Sequence, residues 1–315
     1  NTFRDLQIAA VNPLALSFRA SSRCEGGEMI DILDSLADES DLVALALALG
    51  ADEAGGPLSA PEATLVRRAG QAPRKTVVTH TTALIRGGED PLGDLFSALR
   101  SSEERRDNGA TYTPMPIVQT MVDWAAASKN PSRIVDPGVG SARFLTRAGA
   151  AFPKAELVGI DIDPLAALMA RANLAVSGLG NRARILLGDY RRFAERVSGS
   201  TLYIGNPPYV RHHQIAPKWK EWLAAEAAEI GLPASKLAGL HVYFFLATAR
   251  SAKAKDFGAF ITALEWLDVN YGALVRSLVL GPLGGKSITV IDPTAKPFPD
   301  AAATAAITTF EIGAQ

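Results

Sequence analysis

Cysteine is almost missing from this chain: Cys24 stands alone among 315 residues, so no internal disulfide can form. Histidine is scarce as well, with four in all, and His212 and His213 are adjacent; with no cysteine cluster to complete a site, no metal is expected. Long apolar runs are also lacking. The longest near the start, residues 42–49, is too short to span a bilayer, no signal peptide is visible, and no membrane association is expected. These absences point to a reducing, cytoplasmic location. Neither charge is in excess, since 32 Lys and Arg face 33 Asp and Glu, and a net charge of −1 argues against a protein that grips nucleic acid by diffuse electrostatics alone. What remains is ordinary globular material, 48% hydrophobic and 21% charged, long enough for one large domain and a smaller addition. Asn1 rather than Met at the first position suggests a processed or trimmed chain.

Residues 1 to about 105 read as helical and loop-rich, with breaks at residues 50–57 and 87–93. Asp31–Leu36 and Leu42–Leu49 fit one or two helices packed on the main domain. From Arg133 the pattern changes to short β-branched runs alternating with amphipathic helices. Arg133–Val135, Leu157–Ile160, Ile185–Leu187 and Leu202–Gly205 read as four strands, with helices over Ala142–Ala151 and Pro164–Val176 between them. Such alternation predicts an α/β fold whose parallel sheet is covered on both faces.

Ligands of open parallel sheets bind beyond the carboxyl ends of the strands, and all four ends carry chemistry. The first is Asp136-Pro137-Gly138-Val139-Gly140-Ser141, the second Asp161-Ile162-Asp163-Pro164, the third Gly188-Asp189-Tyr190, and the fourth Asn206-Pro207-Pro208-Tyr209. Asp161 follows Asp136 by 25 residues, which suits a carboxylate that accepts both hydroxyls of a ribose, while Asp189 suits an acceptor for an adenine amino group. Gly138 and Gly140 allow close approach of a ligand to the backbone. Arg143 stands where a dinucleotide fingerprint has its third glycine, which counts against a nicotinamide cofactor. Asp163 fits a helix cap as well as it fits a ligand contact.

The fourth end is the most informative. An amino nitrogen conjugated to a ring or carbonyl is a poor nucleophile, and it gains a localised lone pair when two acceptors take its hydrogens. The Asn206 carboxamide oxygen and a neighbouring main-chain carbonyl supply such a pair, and Pro207 and Pro208 stiffen the turn that holds them. Tyr209 offers a flat face for a planar base. An ordinary strand-to-loop turn is the plain alternative. The stretch from Thr201 to Lys220 contains Arg211, His212, His213, Lys218 and Lys220 and no acid, which fits phosphate contact or a solvated basic face equally well.

With these motifs the chain resembles the S-adenosylmethionine-dependent adenine-N6 DNA methyltransferases of restriction–modification systems, over about residues 107–313. The resemblance includes Thr111-Tyr112-Thr113-Pro114 ahead of a helix through Ile117, Val118, Met121 and Val122; in that family the element contacts the methionine end of the cofactor. It implies S-adenosyl-L-methionine as cofactor, held by Thr111, Tyr112, Thr113, Asp136, Gly138, Gly140, Asp161, Ile162, Asp189 and Tyr190, with Asn206, Pro207, Pro208 and Tyr209 as the catalytic turn. It also implies a doubly wound, mostly parallel seven-stranded sheet, completed by Phe257–Thr262, Ser287–Ile291 and Ala305–Glu311, with helices at Leu240–Phe245 and Trp266–Leu274. The expected organisation is an N-terminal helical region, residues 1–105, and a catalytic domain, residues 106–315. Double-stranded DNA is the expected partner.

Departures from the family pattern are definite. Gly138, Val139 and Ala142 replace the usual alanine, cysteine and final glycine of the first turn, and His241-Val242 stands where Asp-Leu is usual. The family's target-recognition region would follow Gln315, so a longer enzyme or a separate polypeptide is expected to supply it. Two other readings stay open: a protein glutamine-N5 methyltransferase acting on release factors, which shares the Asn-Pro-Pro-Tyr turn, and an inert methyltransferase-like module that binds DNA or a partner chain. Phe144 and Tyr243 are candidates to line the site, or simply core.

Overall fold

The structure is a computed structural model of the 315-residue chain, and it describes residues 7–11, 36–100, 112–195, 197–292 and 304–313, the first stretch as backbone alone. Among these residues the strands are β1 (Gln7–Val11), β2 (Arg133–Asp136), β3 (Glu156–Asp161), β4 (Ala183–Leu187), β5 (Thr201–Gly205), β6 (Phe257–Ala263), β7 (Gly285–Ile291) and β8 (Ala305–Glu311). The helices are α1 (Glu39–Ala48), α2 (Ala60–Val66), α3 (Lys75–Gly87), α4 (Pro91–Leu99), α5 (Met115–Ser128), α6 (Arg143–Ala151), α7 (Pro164–Val176), α8 (Pro217–Glu229), α9 (Leu240–Ser251) and α10 (Ala273–Leu280). The α/β class and the mostly parallel, doubly wound arrangement agree with the sequence reading. All seven expected strands are present, β2 through β8, and β1 is an addition within a stretch read as helical.

The chain divides into two compact units: described residues of 36–100 and 134–189 form one, and those of 7–11, 112–133 and 190–313 form the other. The N-terminal helices therefore share a unit with β3 and β4. In that unit the strand order is β2-β3-β4, with β3 and β4 parallel. Its hub is α7, buried from Leu165 to Leu174, which packs against α1 to α4 as well as β3 and β4. A helix enclosed on all sides needs apolar residues around its whole circumference, and the run Leu165-Ala166-Ala167-Leu168-Met169-Ala170 provides them. Asp163 caps it by accepting from the Leu165 amide at 2.9 Å, with Pro164 in the first turn.

One cation lies within this core. Arg171, fully buried, uses all five guanidinium hydrogens: Nε on Glu62 Oε1 at 2.7 Å, Nη1 on the Ala54 and Gly56 carbonyls at 2.6 Å each, and Nη2 on those of Pro57 and Ile185 at 3.1 and 3.2 Å. Glu62 in turn accepts the Ser59 amide at 2.7 Å in a capping box that starts α2. The segment 54–57, which has no regular structure, is thus fastened to α7 and β4 by one side chain.

In the other unit the order is β1-β7-β8-β6-β5; β1 pairs with β7 and β5 with β6 in parallel, and β8 runs antiparallel to both its neighbours. All seven residues of β6 are buried, as a strand with partners on both edges and helices about it requires. Phe260 anchors the core, with its ring centroid 5.4 Å from Phe245 of α9 and 5.5 Å from Phe310 of β8.

Some expectations need correction. Trp266–Leu274 is not a helix: two 3₁₀ turns, Leu264–Leu267 and Asn270–Gly272, lead into α10. Arg276 Nη1 takes the carbonyls of Trp266, Leu267 and Val269 at 2.5, 3.1 and 3.0 Å, acceptors that a continuous helix would have used internally. Helix α6 starts at Arg143 rather than Ala142, because Ala142 has a left-handed backbone (φ 71°). Gly93, read as part of a break, lies inside α4. Leu36 precedes α1 without being helical, and residues 31–35 lie outside the described residues.

Removing Glu62 leaves a buried guanidinium without its counter-charge. Glu62→Ala is expected to lower unfolding free energy by roughly 3–5 kcal/mol in urea titration, with Glu62→Leu/Arg171→Met recovering part of the loss.

Candidate active site

Three strand ends meet within the unit that holds β2, β3 and β4. Gly140 donates its amide to Asp161 Oδ2 at 2.9 Å, the Val139 amide reaches the Ile160 carbonyl at 3.0 Å, and the Gly188 amide reaches the Asp161 carbonyl at 2.7 Å. These bonds draw Asp136, Gly138, Gly140, Asp161, Ile162 and the start of the Gly188-Asp189 end into one cluster. The close fit continues beneath it: a methyl group on Gly159 would stand 2.6 Å from Val139 Cγ2, so this strand position tolerates no side chain while Val139 packs there.

Asp136 is fully buried at the end of β2. Its Oδ1 accepts weakly from the Gly138 amide at 3.3 Å, and its Oδ2 is buried with no hydrogen-bond partner among the described residues. Loss of hydration on burial pushes its pKa up to about 8, against the smaller opposing pull of the Gly138 amide. Burial likewise raises Asp161 to about 6, although amides of Asp163 and Gly140 favour its charged form. Beside this acid Ile162 is 63% exposed, an apolar face left open next to polar strand ends. Asp189 is half-buried. Asp163 is a helix cap and an ion-pair partner of Arg100, in keeping with the structural reading of that position.

The glycine turn is braced from the N-terminal helices, through a residue the sequence reading missed. Asp90 caps α4 through the Gly93 amide at 3.1 Å, and the same buried carboxylate accepts from Ser141 Oγ at 2.5 Å, Arg143 Nε at 2.6 Å and Asn173 Nδ2 at 2.9 Å. Asn173 Nδ2 also reaches the Ser141 carbonyl at 2.7 Å. Arg143, at the place of a missing glycine, therefore holds the turn by charge. The dipeptide Asp90-Pro91 is a legible helix start, yet nothing local links it to residues some fifty positions on.

The expected catalytic turn belongs to the other unit. All five residues of β5 are buried, and the chain leaves the strand at Gly205 into Asn206, Pro207, Pro208 and Tyr209, which have no regular secondary structure. Pro207 is buried, and Asn206, Pro208 and Tyr209 are half-buried. The Tyr209 hydroxyl is turned inward, and burial pushes its ionisation far above the ordinary phenol range, so the ring stays neutral. Tyr112 and Thr113 directly precede Pro114 and α5, Thr113 being buried, and Thr111 lies outside the described residues.

The side chain of Tyr190, a residue expected among the cofactor contacts, packs in the core. It is 2% exposed, its hydroxyl sits 2.7 Å from Thr248 Oγ1, and its ring packs on Phe244 at 5.2 Å, because the 3₁₀ turn Tyr190–Arg192 folds it against α9. Phe144 and Tyr243 are buried as core side chains. His241, in the place of an expected acid, is buried, and burial lowers its pKa to about 4, leaving a neutral imidazole. Among the described residues no group of three or more His, Cys, Asp or Glu is placed to hold a metal ion, and no helix is long and apolar enough to cross a membrane.

Comparison with known proteins matches this arrangement. Residues 88–238 fit the N-6 DNA Methylase family model, a span that begins just before Asp90 and ends past the Asn206 turn. The type II methyltransferase M.XamI of Xanthomonas campestris pv. amaranthicola is 48% identical over 285 residues, covering 89% of this chain and 53% of that protein. Among solved structures, the type IIG restriction endonuclease BpuSI shares the fold with a TM-score of 0.61 at 15% identity, over 93% of this chain and 40% of the other. The type I restriction–modification methyltransferase subunit of Streptococcus thermophilus gives 0.56 at 16% identity, over 80% and 54%. The chain spans about half the length of the curated relatives it matches. Strand-end acids and the Asn-Pro-Pro-Tyr turn lie within the span that matches the N-6 DNA Methylase family model, and the type II methyltransferase relative is similar over most of this chain.

Proposed function

We propose that this chain transfers a methyl group from S-adenosyl-L-methionine to the N6 amine of an adenine flipped out of double-stranded DNA, in the cytoplasm, as the modifying activity of a restriction–modification system. The observation that carries this reading is the Asn206-Pro207-Pro208-Tyr209 turn at the exit of the buried strand β5, in a chain whose strands β2, β3 and β4 end at Asp136, Asp161 and just before the Gly188-Asp189 pair. The long match to a DNA methyltransferase favours DNA over a release-factor glutamine, and it favours an active enzyme over an inert module.

In this reading Asn206 Oδ1 and the Pro207 carbonyl each accept one N6 hydrogen, which turns the nitrogen lone pair out of the ring plane. Tyr209, held neutral by its buried hydroxyl, supports the base by stacking. The prolines fix these acceptors before substrate arrives, so little ordering is left for the reactive complex. When bound, the cofactor supplies a methyl group already activated on a sulfonium, so the chain is not asked for a strong base.

The residues present fit that cofactor. Asp136 holds a buried carboxylate oxygen with no partner, suited to a cationic donor, and Ile162 offers open apolar surface suited to a flat ring. Gly140, with φ 52°, lets the backbone come close. Asp161 keeps unused lone pairs for ribose hydroxyls, and Gly138 and Asp189 lie in the same unit; Thr111, Tyr112 and Thr113 are assigned to the cofactor by the sequence resemblance alone.

Asn206→Ala is expected to reduce N6-methyladenine formation, measured in nucleoside digests of treated DNA, on the order of 10²–10³-fold while cofactor binding by calorimetry is unchanged. Undiminished methylation by that variant rules out the assigned role. Asp136 makes a second prediction through pH. Its folded pKa is raised, so the folded state binds more protons than the unfolded one between about pH 4 and 8, and its contribution to stability is lost as pH rises through that window. The melting temperature of ligand-free protein should therefore fall across this window, and Asp136→Asn should flatten the fall. The same variant should bind the cofactor roughly tenfold or more weakly.

A further inference from the structure

The reading above leaves unused a cluster of cations and aromatic rings that begins at the third strand end. Three cationic side chains surround one indole: the guanidinium of Arg191 lies 3.6 Å from the centroid of Trp219, that of Arg192 5.4 Å, and the ammonium of Lys218 5.7 Å. Trp219 meets Trp222 edge-on at 6.0 Å, and Trp222 stacks on Tyr243 at 6.2 Å with an interplanar angle of 12°. Both tryptophans are half-buried, while Arg192 and Lys218 are exposed and make no ion pair among the described residues.

Attraction to the indole face holds the cations there, and their mutual repulsion opposes it. Lys218 and Lys220 also occupy the first turn of α8, which has no acid, where the helix dipole disfavours positive charge. The acids of that helix that are ion-paired, Glu226 and Glu229, stand at its far end on Arg250. The chain as a whole carries a net charge of −1, so this concentration is local and complementary to an anion.

We infer that Arg191, Arg192, Lys218 and Trp219 form the surface on which a nucleic-acid strand lies, its phosphates on the cations and an unstacked base on the indole. The inference rests on the DNA reading above and names where this chain grips that substrate. A protein partner would match the cations with carboxylates instead, and DNA binding that does not depend on these residues would point to it.

The test is binding of a short fluorescent DNA duplex to the full chain across a salt series. Arg192→Gln/Lys218→Gln changes two exposed side chains, and circular dichroism checks that the variant is folded. Each lost phosphate contact should make the negative slope of log affinity against log salt shallower by about 0.9, so the double variant should be shallower by up to about 1.8. Trp219→Leu should weaken binding of single-stranded DNA at constant salt and leave the slope unchanged, since stacking releases no counterions. A double variant with the wild-type slope and affinity overturns the inference, as does wild-type protein that binds no DNA. Methylation by the wild type is scored separately: if N6-methyladenine forms while the double variant keeps the wild-type slope, the surface is wrong and the catalytic reading stands.

Discussion

The carboxylate of Asp90 sets the position of the glycine turn. A buried carboxylate is costly to strip of water, and it becomes tolerable when a cation and several donors replace the lost hydration. Asp90 has the Arg143 guanidinium, the Ser141 hydroxyl, the Asn173 amide and the Gly93 amide, so both oxygens are satisfied. The three side-chain donors come from the turn after β2, from the first residue of α6 and from α7, and the fourth from the first turn of α4. The carboxylate therefore fixes the distance between segments far apart in sequence, and Gly138 to Gly140 cannot shift without breaking part of the set. The same restraint explains how Ala142 keeps a left-handed backbone, a conformation costing an alanine about 1–2 kcal/mol.

Helix α7 transmits that restraint. Asn173 reaches Asp90, while Arg171, two residues earlier, reaches Glu62 and the carbonyls of 54–57. Positions two apart on a helix point in different directions, so one helix ties two separate N-terminal segments to the sheet strands beside it. The first hundred residues thereby gain a physical role: their described helices complete the unit in which the strand-end acids sit. An unpaired polar group is affordable at Asp136 because its surroundings are fixed by contacts that do not involve it.

Legibility in the sequence followed the locality of the signal. Strands β2 to β5 were readable as β-branched runs, β6 to β8 only through the family resemblance, and α7 as an apolar stretch opened by Asp163-Pro164. The Asn206 turn was readable because its acceptors and its rigidity lie in consecutive residues. What escaped depends on partners distant in the chain. Strand β1 reads as helical material until its backbone meets β7. The carbonyls of Trp266, Leu267 and Val269 look free to continue a helix until Arg276 takes them. Tyr190 sits next to a strand-end acid, and no feature of its neighbours in sequence shows that Thr248 and Phe244 enclose it.

Charge placement gives the last constraint. A chain of net charge −1 that meets a polyanion must keep its acids from opposing the approach. Several of its acids are already engaged: Asp94 with Arg143, Glu226 and Glu229 with Arg250, Glu311 with Lys129, and Asp163 with Arg100. At the strand ends burial does the same by another route, since a carboxyl whose pKa is pushed up to about 8 carries little negative charge at neutral pH. The burial that leaves Asp136 short of a partner therefore also lowers the negative field at that strand end. A cationic ligand would reverse both effects there, drawing the proton off and neutralising the charge that results.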